Sequence, residues 1–233
     1  MIEALFYSTV ANVKRLTIAI DGPAGAGKST AAKRLARRLD YTLLDTGAIY
    51  RAVALRAREA NVDWGDGKRC AEMAQGLDIS FAFDGERNRV YLGERDVSDA
   101  IRQPAINEGA SRVSALPEVR AALLELQRRL ARGGGVVAEG RDVGTVVFPN
   151  ADVKVFLTAS AEARARRRFD EDRAKGLPVV FEKVLAEQVE RDERDSKRLT
   201  APLKQAEDAH LIDSSALSID EVVEQIARIA ESR

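Results

Sequence analysis

The sequence predicts an α/β fold in which a parallel sheet is covered on both faces by helices. Three observations predict it. Short apolar runs alternate with helical patterns along most of the 233 residues, as in chained strand–helix–strand units. Those runs are nearly continuous in apolar character, the mark of strands buried on both faces. A glycine-rich loop joins the first run directly to a helical pattern.

The elements follow in order. "LTIAI" (16–20) is a short β-rich run that stops at a Gly/Pro loop, hence a buried strand. "KSTAAKRLARRL" behind the loop aligns Ala31, Ala32, Leu35, Ala36 and Leu39 on one helical face. "YTLLD" (41–45) is a second strand and "GAIYRAVALRAREA" (47–60) a second helix. "GVVAEG" (135–140), "DVKVFLTA" (152–159) and "AHLIDSS" (209–215) complete a five-stranded set, and helices follow the last two. The final helix opens with Ser218 and Glu221 at capping-box spacing.

Two segments break this rhythm. Residues 78–98 alternate apolar and polar side chains around the turn "DGERN", which predicts an antiparallel hairpin. It lies in an insertion spanning 61–132 between the second and third core strands. Residues 162–183 are charge-dense with Gly176 and Pro178 in the middle, two helices joined by a mobile flap. The expected organisation is a core of 15–60 and 133–233, the inserted domain 61–132, a lid at 162–183 and an N-terminal extension 1–14 without an assigned role.

Composition excludes several function classes. The 37 basic and 37 acidic side chains cancel, so no global field points to nucleic acid or an anionic membrane. No apolar stretch approaches the ~20 residues of a membrane helix, and the N-terminus lacks the pattern of a signal peptide. One Cys (Cys70) permits no internal disulfide and fits a reducing, cytoplasmic setting. With one Cys and one His (His210), zinc sites built on those ligands are ruled out and Cys–His or Ser–His catalysis loses its footing.

Gly22, four intervening residues and Gly27-Lys28-Ser29 satisfy the phosphate-binding loop pattern G-x-x-x-x-G-K-[ST]. About 0.01 matches are expected by chance in a chain of this length. Here the match also sits between a strand and a helix, as the mechanism requires. Its pliable backbone turns N–H groups inward onto phosphate oxygens, and the helix behind it adds its positive dipole end. The loop residues Gly22, Pro23, Ala24, Gly25, Ala26, Gly27, Lys28, Ser29 and Thr30 are therefore the candidate site for nucleoside triphosphate phosphates. Lys28 reaches the β- and γ-phosphates, and the Ser29 hydroxyl is placed to ligate Mg2+ directly. The guanine-specific patterns N/T-K-x-D and D-x-x-G are both missing, which counts against a GTPase switch.

Three further constellations are ambiguous alone. "LLDTGAIYR" (43–51) offers Thr46 and Arg51 to an anion, or else an N-cap Thr with a surface Arg. In "AEGRDVGTVVFP" (138–149), Glu139 could order Mg2+-bound water, or the loop could hold only an internal Arg–Asp pair. In "ERDERDSKR" (190–198), Arg191, Asp195 and Arg198 share one helix face, in the usual case a solvated one.

Together these motifs, with "LTIAIDGPAGAGKST" and "LTAPLKQAEDAHLIDSS", closely resemble bacterial cytidylate kinases, the CMP/dCMP kinases of the nucleoside monophosphate kinase group. The resemblance covers the chain from about residue 15. It implies a P-loop NTPase core with a five-stranded parallel sheet, an inserted nucleoside-monophosphate-binding domain and a short lid. It also implies ATP and CMP or dCMP as partners, Mg2+ as cofactor, no nucleic acid or membrane partner, and a monomer. Lys28, Arg141 and Arg198 match catalytic positions. Thr46, Arg51, Arg141 and Arg198 match those that grip the acceptor phosphate, and Ser111, Arg120 and Asp142 those that read cytosine. Arg191 and Asp195 match positions near the ribose. Of the lid arginines, Arg164 and Arg168 are the expected ATP contacts, with Arg167 and Arg173 beside them. Glu139, expected to hold Mg2+ through water, stands where members of the family often carry Asp. Another small-molecule acceptor (AMP, UMP or shikimate) and a non-catalytic nucleotide-binding module are the competing readings.

Overall fold

The structure, a computed structural model, describes residues 15–83, 87–198 and 200–233. The N-terminal extension 1–14 and the hairpin turn at 84–86 lie outside the described residues. The five predicted core strands are present as β1 (Thr17–Asp21), β2 (Thr42–Asp45), β6 (Val136–Gly140), β7 (Val153–Thr158) and β8 (His210–Asp213). They form one sheet in the order β2-β6-β1-β7-β8, parallel throughout. Side-chain alternation on β1 explains why both faces are covered. Ile18 and Ile20 pack with helices α1 (Lys28–Leu39) and α8 (Ile219–Glu231), whereas Ala19 points to the opposite layer with α2 (Thr46–Glu59). Ser218 caps α8 by the predicted box, accepting from the Glu221 N–H while the Glu221 carboxylate accepts from its own.

The segment between β2 and β6 holds more than the expected hairpin. β3 (Ile79–Phe83), β4 (Asn88–Leu92) and a two-residue β5 (Arg95–Asp96) make a three-stranded antiparallel sheet. Three helices accompany it: α3 (Gly67–Gln75), α4 (Pro104–Val113) and α5 (Pro117–Leu130). Their apolar side chains, among them Cys70, Ile106 and Leu123, join the same cluster as Ile49, Val53 and Leu55 of α2. The inserted segment thus shares its core with one face of the parallel sheet. Two helices, α6 (Ala161–Ala174) and α7 (Phe181–Lys197), flank the predicted flap, and Gly176 turns out of α6 at φ 74°.

One element departs from its sequence pattern. "VGTVV" (Val143–Val147) is rich in β-branched residues, which favour strands, yet it forms a π-helical turn. Tertiary hydrogen bonds override the local preference: Asp21 accepts from its first N–H groups, and Arg128 of α5 donates to its last carbonyls. Among the described residues no helix is long and apolar enough to cross a membrane.

Candidate active site

The carboxyl ends of β1, β2 and β6 open into a cleft of about 920 Å³. This is where a parallel sheet reverses its strand order and where such folds bind ligands. The loop 22–27 forms one end of the cleft, α4 and α5 the other, and α7 runs along its side.

The loop is shaped by what surrounds it. Gly22 has φ +147°, and a Cβ there would lie 1.9 Å from the Leu157 carbonyl oxygen, so no other residue fits. Gly27 precedes α1 at φ +91°, which leaves the first N–H groups of α1 directed into the cleft. The Ala24 carbonyl accepts from Arg164 Nη1 of α6 (3.1 Å) and Gln188 Nε2 of α7 (2.8 Å). Lys28 is 5 % exposed and donates to the Pro23 carbonyl at 2.6 Å. Burial, and next the Arg141 guanidinium, push its ammonium down to about 7.

On the acceptor side, Asp45 is the N-cap of α2 and accepts from the Ala48 N–H. Thr46 is therefore not the cap. Its hydroxyl crosses to β6 and donates to the Glu139 carbonyl at 2.7 Å. Arg51 pairs with Asp45 through Nη2 at 2.6 Å, while its Nε is buried without a partner. Asp45 and Glu139 are register partners on adjacent strands. Burial, and then the Asp45 charge, raise the Glu139 carboxyl, with Lys28, Ser29 and Arg51 pulling the other way.

Arg141 does not pair with its neighbour Asp142. It reaches α7 and binds Asp195 at 2.8 Å. Burial opposes the charge on Asp195, but Arg141 and Arg191 outweigh it and keep the carboxyl below its ordinary range. Arg191 has a buried Nε with no partner, and burial followed by Arg141 lowers it to about 10. Asp142 is held by two cations: Arg120 on one oxygen and Arg198 on the other, the latter at 3.4 Å. The Arg191–Asp195–Arg198 face of the α7 segment is thus turned into the cleft and not into solvent. Ser111 of α4 lines the same end, its hydroxyl accepting from Arg194 Nη1 at 3.1 Å.

The helical phase of α6 separates the lid arginines. Arg167 and Arg168 line the cleft. Arg164 turns inward, 4 % exposed, and is shared among the carbonyls of Ala159 and Ala24 and the Asp192 carboxylate. Arg173 lies against the Phe169 ring. Tyr50 is buried in the core cluster and also lines the cleft beneath the Arg120 guanidinium, 5.5 Å from it. Gln188 was not singled out at all. A Gln within a charged helical run gives no signal until the fold sets it against Ala24.

Comparison with known proteins gives a consistent result. A family model described as cytidylate kinase matches residues 18–232. A cytidylate kinase from an Exiguobacterium species is 52 % identical over 94 % of this chain and 97 % of its own. That of Vibrio cholerae is 50 % identical over 93 % of this chain and 96 % of its own. An uncharacterized protein of known structure from Eubacterium ventriosum shares the fold at a TM-score of 0.51 and 15 % identity, covering 94 % of this chain and all of its own.

Proposed function

The chain belongs to the cytidylate kinase family, and from that premise we propose how its cleft moves the γ-phosphoryl group of ATP to CMP or dCMP. One observation carries the reading. Lys28, Arg141 and Arg191 line one cleft, and Arg141 lies close enough to both of the others to disfavour their charges. Such a concentration of cations is unfavourable until an anion enters. A phosphoryl group in flight, with charge spread over three oxygens, satisfies it.

In this reading the N–H groups of 22–29 and Lys28 hold the ATP phosphates, with Arg167 and Arg168 closing over them. Thr46, Arg51 and Arg141 grip the acceptor phosphate, and Arg191 with Asp195 lies toward its ribose. Ser111, Arg120 and Asp142 meet the base. Arg198, bound to Asp142, joins the phosphate end to the base end. The acceptor phosphate has a second pKa near ~6, so its attacking oxygen needs no general base at neutral pH. An Asp142 oxygen accepts from the exocyclic amine of cytosine, whereas uracil presents a carbonyl there and is repelled.

The donor set fits Mg2+: the Ser29 hydroxyl and the Glu139 carboxylate beside Asp45 are hard oxygens, and burial, then the Asp45 charge, raise the Glu139 carboxyl, a cost that a dication beside it would offset. Bound there with ATP, Mg2+ would neutralise charge on the transferred phosphates. A single chain supplies every group, which supports a monomer, and small soluble nucleotide substrates support work in the cytoplasm.

The test is ADP release with ATP and Mg2+ in the presence of CMP, dCMP, UMP, AMP or no acceptor. Turnover confined mainly to CMP and dCMP is expected. Preference for another acceptor would overturn the roles of Ser111, Arg120 and Asp142, and binding of ATP without turnover would overturn the enzyme.

A further inference from the structure

We propose that Asp21 is a positioning residue for base selection, fastening the turn that carries Asp142 to the strand that carries the phosphate-binding loop. Asp21 ends β1, is 5 % exposed, and forms no ion pair among the described residues. Its Oδ1 accepts from the Val143 N–H and its Oδ2 from the Gly144 N–H, both at 2.7 Å. These are the opening N–H groups of the π-helical turn, which have no partner within the turn itself. The turn in turn holds Asp142 from behind: the Asp142 carbonyl accepts from Val146 (2.9 Å) and Val147 (3.2 Å).

The chemistry selects a carboxylate. Two parallel N–H donors need two acceptor oxygens, and only Asp supplies both at this reach. Asn would set an NH2 group against one of the N–H groups. A buried carboxylate without a cation is costly, and packing alone would be served better by an apolar side chain. Its position gives the reason to keep it: Asp21 adjoins Gly22, the first residue of the loop, and its partners adjoin Asp142. One side chain thus sets the distance between the donor loop and the base reader. This inference rests on the reading of Asp142 as the base acceptor.

The experiment compares Asp21→Asn, Gly144→Ala and Asp142→Asn, measuring kcat and KM for CMP and UMP, KM for ATP, and thermal unfolding. Asp21→Asn is expected to raise KM for CMP and lower the CMP-to-UMP ratio of kcat/KM, each by roughly tenfold, with KM for ATP within about twofold. Gly144→Ala acts on the same tie from the other side. Its new Cβ would lie 3.3 Å from Asp21 Oδ2, and a loss of about threefold in the ratio is expected. A folded Asp21→Asn protein with an unchanged ratio, or with ATP binding alone impaired, overturns the proposal. Should Asp21→Asn not fold, an unchanged ratio in Gly144→Ala overturns it, and a lowered ratio supports it. Asp142→Asn separates the two readings. If it leaves the ratio intact, the base-reading role fails and this inference with it; if it collapses the ratio while the other variants do not, this inference alone fails.

Discussion

Arg120 and Asp142 form an ion pair in which both side chains are less than a tenth exposed, and Arg198 reaches the other oxygen of the same carboxylate. Breaking such a buried pair by removing one partner typically costs about 3–5 kcal/mol, because the cations left behind are desolvated. Asp142→Ala is therefore expected to lower stability by that order in denaturant titration. Asp142→Asn keeps one acceptor oxygen and adds a donor, so it should lose less stability while shifting preference from CMP toward UMP. Equal loss for both acceptors would separate Asp142 from base reading.

Arg191 makes the opposite case. Its charge is opposed by burial and by Arg141, and its Nε has no partner. Arg191→Met relieves that cost and removes a cation from the acceptor side of the cleft. The expected outcome is a loss in kcat on the order of 100-fold with a melting temperature unchanged or higher. A lower melting temperature with kcat intact would make Arg191 a structural residue.

Two loop glycines should respond differently to the same added methyl group. At Gly22 the Cβ meets the Leu157 carbonyl at 1.9 Å, and the strand end must move. At Gly27 the nearest atom is Ile219 Cδ1 at 3.9 Å, which leaves only the strain of a left-handed backbone, about 1–2 kcal/mol. Gly22→Ala is expected to abolish ATP binding and unfold several degrees below Gly27→Ala. Calorimetric scans of the two, with and without ATP, would check the order.

Asp21 gives the protein a pH dependence of known sign. Burial raises its carboxyl to about 6, from 3.8 in an unfolded chain, against the pull of the Gly144 and Val143 N–H groups. Between those values the folded protein keeps a proton that the unfolded chain releases. Its contribution to stability is therefore full below pH 4 and is lost as pH rises through 6. Asn does not titrate, so the stability of wild type relative to Asp21→Asn should fall over that interval by on the order of 2–3 kcal/mol. A constant difference in urea titrations at pH 4.5 and 6.5 would remove this titration.

The phosphate-binding loop was legible because its demands are local. Glycine is required where φ is positive, and Lys28 and Ser29 follow from the helix behind it. Strand–helix alternation likewise announced the parallel sheet. What alternation does not encode is strand order. Only because β6 lies between β1 and β2 do Glu139, Thr46 and the loop converge, and nothing in the run "GVVAEG" states that. The turn 143–147 was illegible for a related reason: its β-branched residues favour a strand, and its partners Asp21 and Arg128 are distant in sequence. Arg164 and Arg167 show the limit of composition. Adjacent turns of one charged helix send one guanidinium under the loop and the other into the cleft.

The Ala24 carbonyl, held from α6 and α7 at once, fixes a point that both helices share with the loop. A closing of that pair that keeps both bonds would turn about this point and not slide along the cleft. A rotation moves each residue in proportion to its distance from the axis. The connecting residues 175–180, with Leu177 and Val180 exposed at the far end, would sweep the longest arc, while Arg164 would barely move. Substitutions at that tip should therefore change how quickly the cleft shuts and reopens, leaving untouched what it grips when shut.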